Sequence, residues 1–108
     1  MDNELGTTIA RRGYFRAGDE SRTPVIDVEV GKPVPSPHMA GEFMCSFRIR
    51  SGEPEKIETV FGIDELQALQ LALGYLKVKL QRLNETSDQQ LRWIGDEDGD
   101  LGIRLPEF

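Results

Sequence analysis

Residues 42–83, EFMCSFRIRSGEPEKIETVFGIDELQALQLALGYLKVKLQRL, change from one hydrophobic period to another and thereby decide the fold. From Glu42 to Arg50 apolar and polar side chains alternate, which is typical of a strand with one buried face. The apolar residues of that face are Phe43, Cys45, Phe47 and Ile49. From about Asp64 to Leu83 leucines recur at spacings of three and four, which predicts one stripe on a helix. That stripe consists of Leu66, Leu69, Leu73, Leu76, Leu80 and Leu83.

Four other segments have strand-like sequences, three before the helix and one after it. They are Thr7–Arg16 with Ile9 and Phe15 on one face, Val25–Val30 with Ile26, Val28 and Val30 on one face, Lys56–Phe61 with Ile57, Thr59 and Phe61 on one face, and Gln90–Ile94. Short connections between the strands indicate antiparallel neighbours. Residues 101–103 are a candidate for one more short strand, and the alternate prolines of residues 31–41 indicate an extended surface loop.

These patterns predict one α+β domain over residues 1–108, in the order β-β-β-β-α-β. A four- or five-stranded antiparallel sheet would have one face covered by a single long helix. Asp64 is the expected N-cap of that helix, with Gln67 in the capping-box position. The expected core contains Ile26, Val28, Phe43, Cys45, Phe47, Ile49, Phe61, Leu66, Leu69, Leu73, Leu76 and Leu80.

Composition and charge narrow the range of partners and locations. The chain has 108 residues and a net charge of −6, and an acidic protein repels phosphate backbones, which argues against a nucleic-acid partner. A single cysteine excludes an internal disulfide and any zinc site that needs paired cysteines. No signal peptide is visible at the start, and the apolar-rich residues 66–83 are too polar to span a bilayer, so we expect a cytoplasmic protein without a membrane segment.

No group of residues predicts catalysis, a metal site or a cofactor, and the sequence favours a role other than that of an enzyme. Cys45 would need His38 as a distant partner to act as a nucleophile, whereas a cysteine on the inward side of a strand is usually a small buried hydrophobe. The acidic turn has Asp96, Asp98 and Asp100 at EF-hand spacing, but leucine replaces the glycine that the loop requires at its sixth position. We interpret that turn as solvated.

Two candidate contact surfaces remain. Arg12, Arg16, Arg48 and Arg50 lie on strands at positions expected to face outward, where they form a candidate anion patch or pair with Asp27, Glu29 and Glu58. On the helix, Leu71, Tyr75 and Val78 lie beyond the core stripe, and the plainly polar arc covers only about a third of the circumference. We expect either the C-terminal segment or a second subunit to cover these three side chains.

Several motifs together resemble a family of small, uncharacterised bacterial domains of unknown function. They are Gly62-Ile63-Asp64, Gln67-Ala68-Leu69, Leu71-Ala72-Leu73, Leu91-Arg92-Trp93-Ile94-Gly95 and Gly99-Asp100-Leu101-Gly102-Ile103. The resemblance extends over about residues 9–103. It implies the fold and a bacterial origin, and no catalytic residue comes with it.

Two functional hypotheses follow. The first is a binding module that acts through protein–protein contact, as a homodimer or as the neutraliser of a basic partner such as a toxin. The alternative is a binder of small anionic ligands, or an enzyme, that uses loop 31–41 and the arginine-bearing face of the sheet. The incompletely polar helix and the lack of recognisable chemistry favour the first.

Overall fold

The computed structural model describes residues 5–52, 56–86, 90–95 and 101–104. They form β1 (Thr8–Arg16), β2 (Ile26–Gly31), β3 (Val34–Pro35), β4 (Phe43–Arg50), β5 (Ile57–Gly62), α1 (Glu65–Thr86) and β6 (Leu91–Arg92). The predicted α+β class, an antiparallel sheet with one helix packed on it, is confirmed. The short strand β3 was not predicted, β6 is shorter than expected, and residues 101–103 are not a strand.

β4 is an interior strand next to the edge strand β5, and it pairs with three other strands. β5 pairs along one edge of β4, while β2 and β3 share the other edge, and every pairing is antiparallel. β1 continues the sheet beyond β2, and β6 pairs with the last two residues of β1. Pro35 belongs to the two-residue strand β3 within the proline-rich loop. Proline lacks an N–H donor, so it is expected at the edge of a sheet and not in a central strand.

The core lies between one face of this sheet and α1. Six of the predicted core residues are buried and four more are partly buried against them: Ile26, Val28, Cys45, Phe47, Leu76 and Leu80, then Phe43, Ile49, Leu69 and Leu73. Val30 also belongs to this core, as the alternation in β2 implies. Ala68 and Ala72 are completely buried, because small side chains let the helix approach the sheet closely.

Two core predictions are wrong. Phe61 is 41% exposed because its register partner is Met44, on the face of the sheet opposite to α1. The inward side of β5 carries instead Val60, which pairs with Cys45. Leu66, in the first helical turn, is 64% exposed. It lies beside the helix face that contains Ala68 and Ala72, and only that face packs on the sheet.

The predicted faces of β1 are also wrong. The buried side chain of this strand is that of Tyr14. Ile9 is exposed, and Phe15 is only partly buried. An irregularity between Thr8 and Ala10 shifts the register at the start of β1 and breaks the simple alternation. Tyr14 donates its O–H to the carbonyl of Leu101 over 2.6 Å, which attaches the C-terminal segment to the sheet.

The predicted start of α1 is confirmed. The N–H of Gln67 donates to Oδ1 of Asp64 at 2.7 Å, which is the expected N-cap bond. The side chain of Gln67 accepts from the N–H of Ile63 at 2.8 Å, one residue before the usual capping-box position. The helix continues three residues beyond the predicted end, to Thr86. No helix of the described residues is both long and apolar enough to cross a membrane.

Candidate functional site

An apolar stripe runs along the outer side of α1. Leu71, Tyr75 and Val78 follow one another at spacings of four and three, so they lie on one side of the helix. They are 39%, 55% and 44% exposed, respectively. We call these three residues the outer stripe, and nothing in the described part of the chain buries them.

The outer stripe faces the side of the domain where β5 is the last strand. On this side the backbone of Ala68 lies against Gly62, where an added Cβ would collide with it. Farther along, Nζ of Lys79 lies 2.7 Å from Oε1 of Glu58. Ala68 and Lys79 therefore lie on the side of the helix that is next to β5. The outer stripe occupies the neighbouring part of the helix surface.

The C-terminal segment passes on the other side of α1. Residues 101–104 line small cavities together with Leu73, Lys77 and Gln81. Lys77 points about 200° around the helix from Tyr75. The sequence predicted that either the C-terminal segment or a second subunit covers the outer stripe. The described part of the C-terminal segment does not lie over it.

Gly74 lies beside the outer stripe and is exposed. A Cβ built on it would have no atom within 4 Å beyond the helix's own backbone, so it serves no contact within the described residues. Glycine inside a helix costs about 1 kcal/mol relative to alanine. A glycine midway along an otherwise strong helix was the sequence signal that could have drawn attention to this surface.

β5 forms an edge of the sheet beside the outer stripe. It pairs with β4 on one side, and no other described strand pairs with it. It contains no proline and no bulge in its pairing with β4. Such an edge offers unpaired backbone donors and acceptors to another strand.

The four arginines of the candidate anion patch do not form one surface. Arg48 and Arg50 lie side by side on the open face, but both contact the same buried carboxylate: Nη2 of Arg48 and Nη1 of Arg50 are 3.0 and 3.4 Å from Oε1 of Glu29. The hydrogen bond from Arg48 holds the pKa of Glu29 below its usual 4.5, outweighing the opposite effect of burial. This local pairing is the arrangement that the sequence offered as the alternative to an anion patch.

Arg12 lies on the helix-covered face, contrary to its expected outward position. It pairs in register with Val28, its guanidinium lies 3.8 Å from the ring centre of Trp93, and its Nη1 donates to the carbonyl of Gly102 at 3.1 Å. Arg16 is exposed at the far end of β1. Arg12 thus helps to hold the C-terminal segment, and it is separated by the sheet from Arg48.

His38 of loop 31–41 lies apart from the arginines of β4. The ring of His38 packs edge-on against Phe61 at 5.9 Å, at the apolar end of the open face where Phe61 pairs with Met44. Arg48 is four residues farther along β4, or about 13 Å. The alternative hypothesis, a site built from the loop and the arginines, stays a prediction.

The remaining candidates for chemistry are separated as well. The Cys45 thiol is buried, donates to the carbonyl of Gly31 at 3.3 Å, and has its pKa raised above the usual 9.0 by burial. It faces α1, whereas His38 packs on the opposite face of the sheet. No metal-binding cluster occurs among the described residues, and the acidic turn with Asp96, Asp98 and Asp100 lies outside them.

The chain is similar to one known family. A family model described as "Domain of unknown function (DUF6968)" matches residues 10–105, so the chain belongs to this family of domains of unknown function. No curated protein matches the chain, and no solved structure does.

Proposed function

We propose that this member of the DUF6968 family is a protein-interaction module that acts as a homodimer, with the outer stripe and the edge of β5 as its contact surface. The single observation that carries the proposal is that an exposed apolar stripe and an unpaired strand edge lie next to each other on one side of the domain. Its proposed source is a bacterium, as the sequence resemblance implies, and its proposed place of action is the cytoplasm.

A two-fold axis beside β5 satisfies both parts of this surface at once. The contacts of Lys79 with Glu58 and of Ala68 with Gly62 define which residues of α1 and β5 lie level with each other. Interpolated between these two contacts, the middle of the outer stripe falls level with the middle of β5. One axis can therefore relate β5 to its copy and α1 to its copy, each pair antiparallel.

The expected spacings agree with this arrangement. α1 packs over both β4 and β5, so the helix axis lies above a line that runs midway between these two strands. If the two β5 strands are about 4.8 Å apart, this line is about 5 Å from the two-fold axis. The two helix axes are then about 10 Å apart, which is within the usual range for packed helices.

The side chains fit the same symmetry. The outer stripe is centred between Gly74 and Tyr75, so a two-fold axis at that point places Leu71 against Val78 of the second copy. Tyr75 then lies against Gly74 of the second copy, where the missing side chain leaves room. This gives a physical reason for a glycine that makes no contact with the described residues outside its own helix.

Charge favours a second copy over a basic partner at this surface. Residues 66–84 contain no carboxylate, although the chain has 19 acidic residues and a net charge of −6. The polar residues that border the outer stripe are Gln67, Lys79, Gln81 and Arg82, so two acidic copies can approach here without carboxylates facing each other. A strongly basic partner would find no complementary charge on this side of α1.

The expected affinity is moderate. Six partly exposed side chains, three from each copy, contribute about 1 kcal/mol each when buried, and about four new backbone hydrogen bonds contribute about 1 kcal/mol each. Association costs about 4 kcal/mol or more. We therefore expect a Kd between about 1 µM and about 1 mM.

Sedimentation velocity over this concentration range tests the proposal. Leu71→Gln should weaken the dimer about 30-fold, because about 1 kcal/mol is lost at each of two symmetric positions. Leu66→Gln is the matched control, since Leu66 is a more exposed leucine of the same helix that lies outside the outer stripe. A chain that stays monomeric throughout, or an equal effect of the two substitutions, would refute the proposal.

A further inference from the structure

A cleft opens at one end of the domain, between the C-terminal half of α1 and the ends of β4 and β5 that lie beneath it. Its volume is about 360 Å³, which is within the range of small-molecule sites. The floor is apolar and consists of Phe47, Ile49 and Leu83. Phe47 is almost completely buried, so this part of the floor is rigidly held by the core.

The rim of the cleft is basic. Lys56, Lys79 and Arg82 all line it, which is unusual for a chain with a net charge of −6. Lys79 is paired with Glu58, which is the acidic residue of this rim. Lys56 and Arg82 are exposed and have no ion-pair partner among the described residues, which leaves two positive charges beside an apolar floor.

We propose that this cleft binds a small amphipathic carboxylate, with the carboxylate held by Lys56 and Arg82 and an aliphatic or aromatic body lying on the floor. Arginine offers a planar pair of donors that matches a carboxylate, and lysine adds a point charge. Glu58 on the same rim favours a monoanion over a dianionic phosphate, because it repels the second negative charge.

The cleft differs in place and chemistry from the anion patch expected at the sequence level. That patch used the open face of the sheet, where Glu29 already neutralises Arg48 and Arg50. The cleft lies on the helix-covered side. The outer stripe contributes none of the cleft residues named above, but Glu58 belongs to β5 and Arg82 follows Val78 by one helical turn, so the cleft lies next to the proposed dimer contact.

Three probes separate recognition of charge from simple apolar binding. Isothermal titration calorimetry and backbone NMR shifts should detect octanoate in the cleft, with shifts at Ile49, Lys56 and Leu83. Octanol has the same apolar body without the charge, and acetate has the charge without the body. We expect both to bind at least about tenfold more weakly than octanoate, since each loses one part of the site.

Paired substitutions then test the role of the cations. The double variant Lys56→Gln, Arg82→Gln should bind octanoate at least about tenfold more weakly and octanol unchanged, because only the charge recognition is removed. The unchanged octanol binding also shows that the fold is intact. Lys77→Gln is the matched control: it removes one exposed lysine of the same helix, away from the cleft.

Four outcomes would overturn the inference. These are no binding of octanoate at millimolar concentration, NMR shifts outside the cleft, octanol binding as tightly as octanoate, and an equal loss of octanoate affinity in the Lys77→Gln variant. Sedimentation of the same samples keeps this test apart from that of the dimer. The Leu71→Gln variant should retain octanoate binding whether or not the protein dimerises.

Discussion

Gly74→Ala should change the stability of the monomer and of the dimer in opposite directions. Position 74 lies midway along α1 on its exposed side, and the added methyl group has no atom within 4 Å to collide with outside the helix's own backbone. Alanine is better than glycine in a helix by about 1 kcal/mol. For a domain of this size the monomer should therefore melt about 4–8 °C higher.

In the proposed dimer the same methyl group enters the space that Tyr75 of the second copy needs. The two copies each gain this group, and overpacking of a well-packed contact costs about 1–3 kcal/mol. We therefore expect at least about a tenfold weaker dimer.

Thermal unfolding at low micromolar concentration measures the monomer, and sedimentation velocity over increasing concentration measures the dimer. Gln70→Ala is a suitable control, because it changes an exposed residue one turn away with little change in helix propensity. A lower melting temperature for Gly74→Ala would mean that the glycine is needed within the monomer. An unchanged dimer affinity would mean that Tyr75 does not pack there, and either result would refute the argument.

Three further predictions concern the fold. Phe47→Asp should abolish cooperative unfolding in circular dichroism, because it removes about 3–5 kcal/mol of packing and buries a charge; a cooperatively folded variant would contradict the assigned face of β4. Tyr14→Phe should cost about 1–3 kcal/mol in urea unfolding, because the buried carbonyl of Leu101 loses its donor; an unchanged midpoint would show that this bond is dispensable. The lowered pKa of Glu29 means that its contribution to stability is present above pH 4.5 and is lost as the pH falls through the pKa of the folded state. The urea midpoints of the wild type and the Glu29→Gln variant should therefore converge toward acidic pH, and a constant gap between them would exclude this linkage.

The sequence alone predicted which face of a strand is buried where apolar and polar residues alternate regularly. β4 alternates without interruption, so burial of Cys45 and Phe47 was predictable. β5 has a weaker alternation, in which the side with Phe61 contains more apolar residues than the side with Glu58. In the register with β4 the other side faces inward, and Glu58 on that side lies 2.7 Å from Lys79 of α1. The alternation within β5 alone does not encode this pairing.

The rotation of α1 about its axis was predicted less well than its limits. Capping residues set the start of the helix through contacts three and four residues away, so Asp64 was identifiable. The buried arc is centred toward Ala68 and Ala72, because small residues permit close packing on a sheet. Leu66 therefore lies outside the core. The position of the outer stripe beyond the core stripe followed from the helical period alone, whereas its position beside the edge of β5 depends on the topology of the sheet.

The most distinctive sequence motifs of this chain have structural roles. An added Cβ on Gly95 or on Gly102 would collide with the Trp93 ring, and Gly102 has a φ of +74°, a conformation that favours glycine. Arg12 covers that ring, and its bond to the Gly102 carbonyl keeps the segment in place. Residues held by such close packing cannot vary freely, whereas the outer stripe and the cleft rim are exposed and carry no such restriction. The motifs therefore identify a shared fold. Dimerisation and ligand binding at these two surfaces do not follow from the motifs and must be measured on this chain.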